Sequence, residues 1–186
     1  LACLDIGAST GGFAHVLLSR GAKSVACVDV GHGQLHPVIA SDPRVKSMER
    51  MDARKLTAAD LETAPQLVVI DVSFISLARV LPHVLALAAP QAKLVALIKP
   101  QFEAGRAEAD RGAGVITDPA VHQRVLEELA RYVTAELGQK WHGVVESPLL
   151  GPATLNEHSG TSANGAKHQR IVDGQSTHVS TAVLEV

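Results

Sequence analysis

The sequence has little of what several classes of protein depend on. It contains 2 cysteines in 186 residues, and both Cys3 and Cys27 lie in apolar, strand-like runs. Such thiols are typical of small buried side chains and not of a disulfide framework, so we expect a cytoplasmic protein. The longest apolar runs, 67–70 and 94–98, are strand-sized and far shorter than the ~20 residues of a membrane-spanning helix. The composition therefore argues against a disulfide scaffold and a membrane span.

Aromatic side chains and positive charge are also scarce. Aromatic residues make up 3% of the chain, and the formal net charge is −2 at pH 7. The sequence therefore offers neither a platform for base stacking nor a basic stripe that would grip phosphates. The chain begins without methionine, inside a strand-like run. We expect a fragment, and we expect the main affinity for any nucleic acid to come from elsewhere in the protein.

What the sequence does contain is an alternation of short β-rich runs and helix-like segments. Hydrophobic residues make up 46% of the chain and charged residues 19%, which suits one globular domain. The alternation predicts a Rossmann-like α/β fold, with a mostly parallel sheet and helices on both faces. The predicted strands are 2–6, 24–30, 45–48, 66–72, 93–98 and 141–146, and the predicted helices are 12–20, 33–40, 58–61, 76–88 and 119–137. Ligands of such sheets bind beyond the carboxyl ends of the strands.

The first strand ends in LDIGASTGGF, a glycine-rich turn that leads into a helix. Its glycines allow a tight turn and a close approach of the backbone to a ligand. Ser9 stands where a dinucleotide fingerprint needs glycine, and the turn lacks the lysine of a phosphate-binding P-loop. The remaining pattern of acid and glycines is typical of sites for S-adenosylmethionine (SAM), with a purely structural turn as the alternative. The predicted cofactor residues of this turn are Asp5, Gly7, Ala8, Ser9, Thr10, Gly11, Gly12 and Phe13.

Acidic residues also follow the next two predicted strands. Asp29 ends the second strand, where a carboxylate can accept hydrogen bonds from ribose hydroxyl groups. Asp52 follows the third strand and is placed to accept a hydrogen bond from the amino group of an adenine. Together with their neighbours Val30 and Ala53, these residues favour an adenosine ligand without phosphates. Solvated aspartates at strand ends are the alternative explanation.

Asp71 and Lys99 come at the ends of the fourth and fifth predicted strands. Central strands of a parallel sheet end at the same edge, so we expect the two side chains to face each other beside the cofactor's sulfonium group. Lys99 follows five apolar residues, and burying an unpaired ammonium group costs several kcal/mol. This cost favours a functional pair, with Asp71 also contacting the cofactor, over a surface salt bridge.

A family resemblance rests on five segments: GASTGGF, DVGHGQL, VIDVSFISL, VALIKPQFEAGR and GVITDPAVHQRVLE. These segments resemble the TlyA family, FtsJ-like ribosomal RNA 2′-O-methyltransferases that are often described as hemolysins, and the resemblance runs from about Leu1 to Glu157. It implies SAM-dependent methylation of a ribose 2′-hydroxyl, in this family that of a cytidine in ribosomal RNA. It also implies ribosomal subunits as partners and a small RNA-binding domain ahead of the catalytic one.

The resemblance implies catalytic residues as well. FtsJ-like enzymes use a tetrad of lysine, aspartate, lysine and glutamate, whose last three members correspond to Asp71, Lys99 and Glu157. Lys99 would orient the hydroxyl group and accept its proton, and Asp71 would position Lys99 and the ribose. The first lysine of the tetrad normally lies upstream of the glycine turn, and the chain begins too late to contain it.

The last part of the chain departs from the family pattern. The family has GPxGNxE followed by an apolar strand, whereas here GPATLNE is followed by residues rich in Ser, Thr, Gly, Asn and His. We therefore expect a methyltransferase domain at 1–157 and an atypical, disordered tail at 158–186, with a late strand at 179–186 as the alternative. The departure also keeps open a second function, that of a SAM-binding module without catalytic activity.

Weaker signals concern metals, a loop and membranes. His32 and His36 lie four residues apart, but no third ligand of suitable type is near in the sequence, so no metal site is predicted. The stretch 101–117 is long for a connection between a strand and a helix, and it is either a loop that gates substrate access or a plain flexible loop. The hemolysin name suggests action on membranes, but no amphipathic hairpin or apolar span supports that function.

Overall fold

The computed structural model describes residues 1–105, 116–146 and 180–186, and these ranges form one mixed β-sheet with helices packed against it. The strands lie in the spatial order β3-β2-β1-β4-β5-β7-β6. Neighbouring strands from β3 to β5 are parallel, and β7 runs antiparallel to both β5 and β6. Their bounds are β1 Ala2–Ile6, β2 Ser24–Val28, β3 Val45–Met48, β4 Leu67–Ile70, β5 Lys93–Ile98, β6 Lys140–Glu146 and β7 Ser180–Glu185.

The helices begin at residues suited to that position. Asp118 and Ser76 each accept a hydrogen bond from the backbone N–H two residues on, which satisfies a donor that the first helical turn leaves free. Pro119, with its fixed φ, takes the first position of its helix. The bounds are α1 Gly12–Ser19, α2 Pro37–Ala40, α3 Leu77–Leu85, α4 Pro100–Glu103 and α5 Pro119–Arg131, with a π-helical turn at Tyr132–Glu136 and 3₁₀ turns at Ala53–Lys55 and Ala58–Asp60.

Helices cover both faces of the sheet. On one face, Leu17 and Leu18 of α1 pack with Val25 and Cys27 of β2 in one buried cluster. On the other face, α3 and α5 bury their apolar sides against the central strands in a larger cluster. The predicted Rossmann-like α/β class is therefore confirmed.

The order of the strands determines where a ligand can bind. The chain leaves β1 toward β2 and β3 on one side and returns to β4 and β5 on the other. At such a reversal, the connections after the two central strands diverge and leave a crevice beyond their carboxyl ends. In this protein the crevice lies after Ile6 and Ile70, which pair across β1 and β4.

Most predicted elements are present, but four predictions need correction. The helix expected at 58–61 is a 3₁₀ turn at Ala58–Asp60. The helix expected at 33–40 is only α2, because residues 31–36 form a loop. The segment expected to be a helix up to 137 ends as an α-helix at Arg131 and continues as a π-helical turn. The tail expected to be disordered contains strand β7, whose Ala182 and Leu184 are buried. For 180–185 the alternative of a late strand was right, while 158–179 lie outside the described residues.

Candidate active site

The glycine turn between β1 and α1 has a backbone that other residues would strain. Gly7 has φ +80°, and a β-carbon there would lie 2.3 Å from the backbone oxygen of Asp71. Gly11 has φ +95°, and a β-carbon there would lie 2.9 Å from Cδ1 of Leu35. Both positions therefore need glycine, for their backbone conformation and for the close approach of their neighbours. The turn packs directly against the start of the loop after β4.

Asp29 holds the turn from the neighbouring strand. Its Oδ2 accepts a hydrogen bond from the backbone N–H of Ser9 at 2.8 Å, and its Oδ1 accepts one from the N–H of Gly31 at 2.7 Å. Ser9 has φ +46°, a left-handed conformation that is uncommon outside glycine. The carboxylate thus joins the glycine turn to the loop after β2, and each oxygen keeps a lone pair for a further donor.

Asp5 lies beneath the turn and has no exposed surface. Among the described residues, neither of its carboxylate oxygens has a hydrogen-bond partner at standard distance and angle. Burial raises the pKa of Asp5 to about 7; the backbone amide of Ala14 opposes this rise, and the carboxylates of Asp71 and Asp29 add to it. An acidic group without a strong partner in this position would gain from a cation or a donor bound above the turn.

A cavity of about 430 Å³ opens between the turn and the ends of β2, β3 and β4. Of the predicted cofactor residues, those that line it are Gly7, Ser9, Asp29, Val30, Asp52, Ala53 and Asp71. The other six do not line it: Asp5 and Ala8 are buried, and the backbone oxygen of Thr10 accepts a hydrogen bond from the N–H of His36. Gly11 caps α1, and Gly12 and Phe13 are the first residues of that helix. The cavity lining also includes residues that the sequence did not predict, namely Gln34, Met51, Arg54, Val72, Ser73, Phe74 and Ile75.

Asp52 lines this cavity as one half of an ion pair, which the sequence did not predict. Arg54 donates hydrogen bonds to both carboxylate oxygens of Asp52, the shortest at 2.6 Å, and these bonds lower the pKa of Asp52 to about 2. Asp52 also accepts a hydrogen bond from the backbone N–H of Arg54, as the cap of a 3₁₀ turn. Its expected contact with an adenine amino group stays a prediction. Any such contact would add to the pair with Arg54.

Lys99 and Asp71 meet beyond the ends of β4 and β5. Nζ of Lys99 lies 2.6 Å from Oδ1 of Asp71 and donates a hydrogen bond of 2.9 Å to Oγ of Ser73. The Lys99 side chain is 16% exposed, so the ion pair is largely shielded from solvent on the lysine side. Asp71 and Ser73 are two residues apart in the loop after β4, and both side chains contact Nζ of Lys99. The signal that could have identified Ser73 is a hydroxyl side chain two positions after Asp71.

An exposed aromatic ring stands beside this pair. Phe74 is 91% exposed, although it follows Ser73 directly and its backbone has φ +64°, a rare conformation for a bulky residue. Its ring centroid lies 5.1 Å from that of Phe102 in α4, with the two rings inclined by 47°. A strained backbone that holds an apolar ring in solvent is a feature of functional loops.

Three predictions concern residues beyond this cavity. Glu157 lies outside the described residues, and so does 106–115, which is most of the predicted gating loop. Nδ1 of His32 lies 2.9 Å from Oε2 of Glu49, which also accepts the N–H of Gly33. Within the described ranges, no cluster of three or more histidine, cysteine, aspartate or glutamate side chains is arranged to hold a metal ion. Nor does any helix of the described chain have the length and apolar character needed to cross a membrane.

Together, the fold and the site place a cavity beyond the carboxyl ends of the central strands, with Asp71 in its lining and Lys99 paired to Asp71. The comparison with protein families assigns this fold to the methyltransferase class. Residues 1–158 match the model of the FtsJ-like methyltransferase family. The chain is 50% identical over 153 residues to the 16S/23S rRNA (cytidine-2′-O)-methyltransferase TlyA of Mycobacterium tuberculosis, a match that covers 81% of this chain and 56% of that protein.

Two further similarities extend this result. Hemolysin A of Brachyspira hyodysenteriae is 42% identical over 67% of this chain and 52% of its own length. A solved structure of a protein from Lactococcus lactis, described as a hemolysin, superposes with a TM-score of 0.82 at 38% identity and covers 99% of this chain and 77% of its own. The chain therefore belongs to the FtsJ-like methyltransferase family and, within it, to the TlyA group. It spans only about half the length of the curated relatives it matches.

Proposed function

We propose that this protein transfers a methyl group from SAM to the 2′-hydroxyl of a cytidine ribose in ribosomal RNA. The observation that carries the proposal is the ion pair of Lys99 with Asp71, a residue of the cavity lining, together with the hydrogen bond from the ammonium group to Ser73, which also lines the cavity. Support for the substrate comes from the M. tuberculosis relative, whose name specifies cytidine 2′-O-methylation of 16S and 23S rRNA.

The residues of the crevice fit SAM. The glycine turn gives a surface without β-carbons, Asp29 can accept further hydrogen bonds, and the buried, acidic Asp5 suits a nearby positive charge. The cavity of about 430 Å³ lies within the size range of small-molecule sites. It also lacks a glycine-rich phosphate loop with lysine, as expected for an adenosine cofactor without phosphates. When bound, SAM would supply the methyl group, whose carbon–sulfur bond breaks as its bond to the ribose oxygen forms, with S-adenosylhomocysteine as the leaving group.

Lys99 and Asp71 orient and activate the attacking group, which is the ribose 2′-hydroxyl. The Lys99 side chain donates hydrogen bonds and can therefore orient the ribose hydroxyl toward the cavity. In its neutral form the amine of Lys99 accepts the proton that the hydroxyl loses as the new bond forms. Asp71 and Ser73 hold Nζ of Lys99 from two directions, which reduces the rotational freedom of the long side chain. Phe74, exposed beside them, is available for contact with the target nucleobase.

Labelled methyl transfer to ribosomal subunits tests this proposal. We expect the full-length protein to transfer label from SAM, and we expect Lys99→Ala and Asp71→Ala to reduce kcat by at least about 100-fold. Lys93→Ala is the matched control, because Lys93 lies at the other end of β5 and also forms an ion pair, with Glu185. Retained transfer in both site variants would contradict the mechanism, and a loss of equal size in Lys93→Ala would show that the effect is only structural.

A module that binds SAM without transferring methyl groups is the second candidate. The observation that favours it is the sequence GPATLNE, in which Thr154 and Leu155 replace the glycine and asparagine of the family pattern. Calorimetry separates the two functions. Binding of SAM without transfer to either ribosomal subunit would support the second candidate, whereas transfer with multiple turnovers would exclude it.

A further inference from the structure

Two segments of the site contact each other at three places. The first is the loop from Asp71 to Leu77, which follows β4; the second is the turn from Lys99 to Glu103, which follows β5 and includes α4. Lys99 contacts the beginning of the loop, and the ring of Phe102 packs on Phe74 in its middle. The contact at the far end of the loop is made by Glu103.

Glu103 accepts two short hydrogen bonds from the end of that loop. Its Oε2 accepts from Oγ of Ser76 at 2.6 Å, and its Oε1 accepts from the backbone N–H of Leu77 at 2.8 Å. Both bonds are partly buried, and burial raises the pKa of Glu103 despite them. A carboxylate that two donors hold at the first turn of α3 fixes both its own helix and the loop before it.

Glu103 and Lys99 belong to one rigid turn. The backbone N–H of Phe102 bonds the oxygen of Lys99 at 2.9 Å, and the N–H of Ala104 bonds the oxygen of Pro100 at 2.9 Å. A displacement at Glu103 is therefore transmitted to Lys99 over a single helical turn. The same displacement would release Ser76 and Leu77 from α4.

The strained backbone of Phe74 makes this contact important. A bulky residue at φ +64° has a strained backbone, and this conformation persists only where its surroundings fix the loop on both sides. Lys99 fixes the loop through Asp71 and Ser73, and Glu103 fixes it through Ser76 and Leu77. If the Glu103 contacts were lost, relaxation of Phe74 would move Ser73 away from Nζ of Lys99.

We propose that Glu103 is a positioning residue of the methyl-transfer reaction, which holds the 71–77 loop against α4 so that Asp71 and Ser73 meet Lys99. This inference rests on the proposed function. It adds a residue that acts through Lys99 and contacts neither the cofactor nor the ribose. It predicts an effect on kcat, while the KM for SAM changes little.

The test compares three Glu103 variants of the full-length protein with a control. Glu103→Ala removes both bonds, and Glu103→Asp keeps the charge but shortens the side chain. Glu103→Gln keeps an oxygen for the Leu77 N–H and offers a donor to Oγ of Ser76. Glu127→Ala is the control, because Glu127 is an exposed glutamate on α5 that accepts a hydrogen bond from the side chain of Gln123. The readouts are kcat, the KM for SAM, and the nuclear Overhauser effect (NOE) between the rings of Phe74 and Phe102.

We expect kcat to fall by about 10- to 100-fold in Glu103→Ala and Glu103→Asp, with the KM for SAM within about twofold of wild type, because a misplacement of about 1 Å can cost that much. The NOE should disappear in these two variants and persist in Glu103→Gln and Glu127→Ala. A folded Glu103→Ala or Glu103→Asp protein that keeps both kcat and the NOE would overturn the inference alone. If the wild type transfers no methyl groups, the proposed function fails, and the NOE still decides whether Glu103 holds the loop.

Discussion

Replacing Gly7 by alanine tests the contact between the glycine turn and the loop that carries Asp71. Gly7 has φ +80°, which costs a residue with a side chain about 1–2 kcal/mol. The new β-carbon would also lie 2.3 Å from the backbone oxygen of Asp71, and overpacking of this kind costs about 1–3 kcal/mol. The two costs add to a loss of about 2–5 kcal/mol in the free energy of unfolding.

Two other glycines separate these costs. Gly21 has φ +84° with nothing within 4 Å of a built β-carbon, so Gly21→Ala measures the backbone cost alone. Gly12 begins α1, also with nothing within 4 Å and without a positive φ, so Gly12→Ala should be neutral or stabilising by up to about 1 kcal/mol. The three variants thus form a series in which only Gly7→Ala adds the collision with Asp71.

Urea denaturation and calorimetry with SAM are the assays for this series. We expect the order of stability Gly12→Ala, then Gly21→Ala, then Gly7→Ala. We expect SAM affinity to fall in Gly7→Ala and to stay unchanged in Gly21→Ala, since relief of the collision moves Asp71 or the turn. If Gly7→Ala were as stable as Gly21→Ala and bound SAM normally, the turn and the Asp71 loop would not be in the contact described above.

Further variants test charged and polar side chains of the site and of β7, and the strained backbone of the site. Burial raises the pKa of Asp5 to about 7, so the native state binds a proton that the unfolded state releases, and stability is lost as the pH rises from about 4 to about 7. Asp5→Asn should remove this loss, by at most about 4 kcal/mol, when urea denaturation of the two proteins is compared over that range. The pKa of Glu185 shifts in the opposite direction, because hydrogen bonds from Lys93 and, to a smaller extent, His142 lower it to about 2. Its contribution is therefore lost as the pH falls from about 4 to about 2, and Glu185→Gln should make unfolding less sensitive to acid in that range. Ser73→Ala should lower kcat about tenfold in the methyl-transfer assay, because Lys99 loses one of its two partners. Phe74→Gly should raise the KM for RNA while leaving the thermal midpoint unchanged or higher, because glycine relieves the backbone strain at φ +64°; an unchanged KM would mean that the ring does not contact RNA.

The strands and the strand-end acids could be predicted because both depend on local patterns. Buried parallel strands are apolar throughout, and the polar residue that ends each one marks the edge of the sheet where ligands bind. Asp29, Asp71 and Lys99 were predicted on that basis, and Asp5 was predicted from the pattern of acid and glycines. The structure confirms that the side chains of Asp71 and Lys99 face each other, with Nζ of Lys99 2.6 Å from Oδ1 of Asp71.

Other features depend on contacts between distant residues and carry no local signal. The helix expected at 33–40 is shortened because Glu49 accepts hydrogen bonds from the backbone of Gly33 and Gln34, which holds that stretch as a loop. In the sequence, Glu103 is only one more charged residue after a strand, and its contact with the start of α3 is visible only in the structure. The late strand β7 follows a long polar stretch, which favoured a disordered tail as the first expectation. The alternation of Ala182 and Leu184 with less buried residues nevertheless fits a strand.

The positive φ of Phe74 could not have been predicted either. Its sequence context, VSFIS, favours extended chain, and only contacts on both sides of the residue keep it in the left-handed region. The same contacts join the segments VIDVSFISL and KPQFE, since residues of the one contact residues of the other at Lys99, Phe102 and Glu103.

The most direct test is mass spectrometry of the nucleosides of ribosomal RNA after a fixed reaction time with SAM that is too short for the wild type to reach completion. The full-length protein and its Lys93→Ala variant are predicted to yield 2′-O-methylcytidine, and Lys99→Ala is predicted to yield at least about 100-fold less. A methyl group on a base, or equal amounts of 2′-O-methylcytidine from Lys99→Ala and wild type, would contradict the assignment of the Asp71–Lys99 pair to ribose methylation.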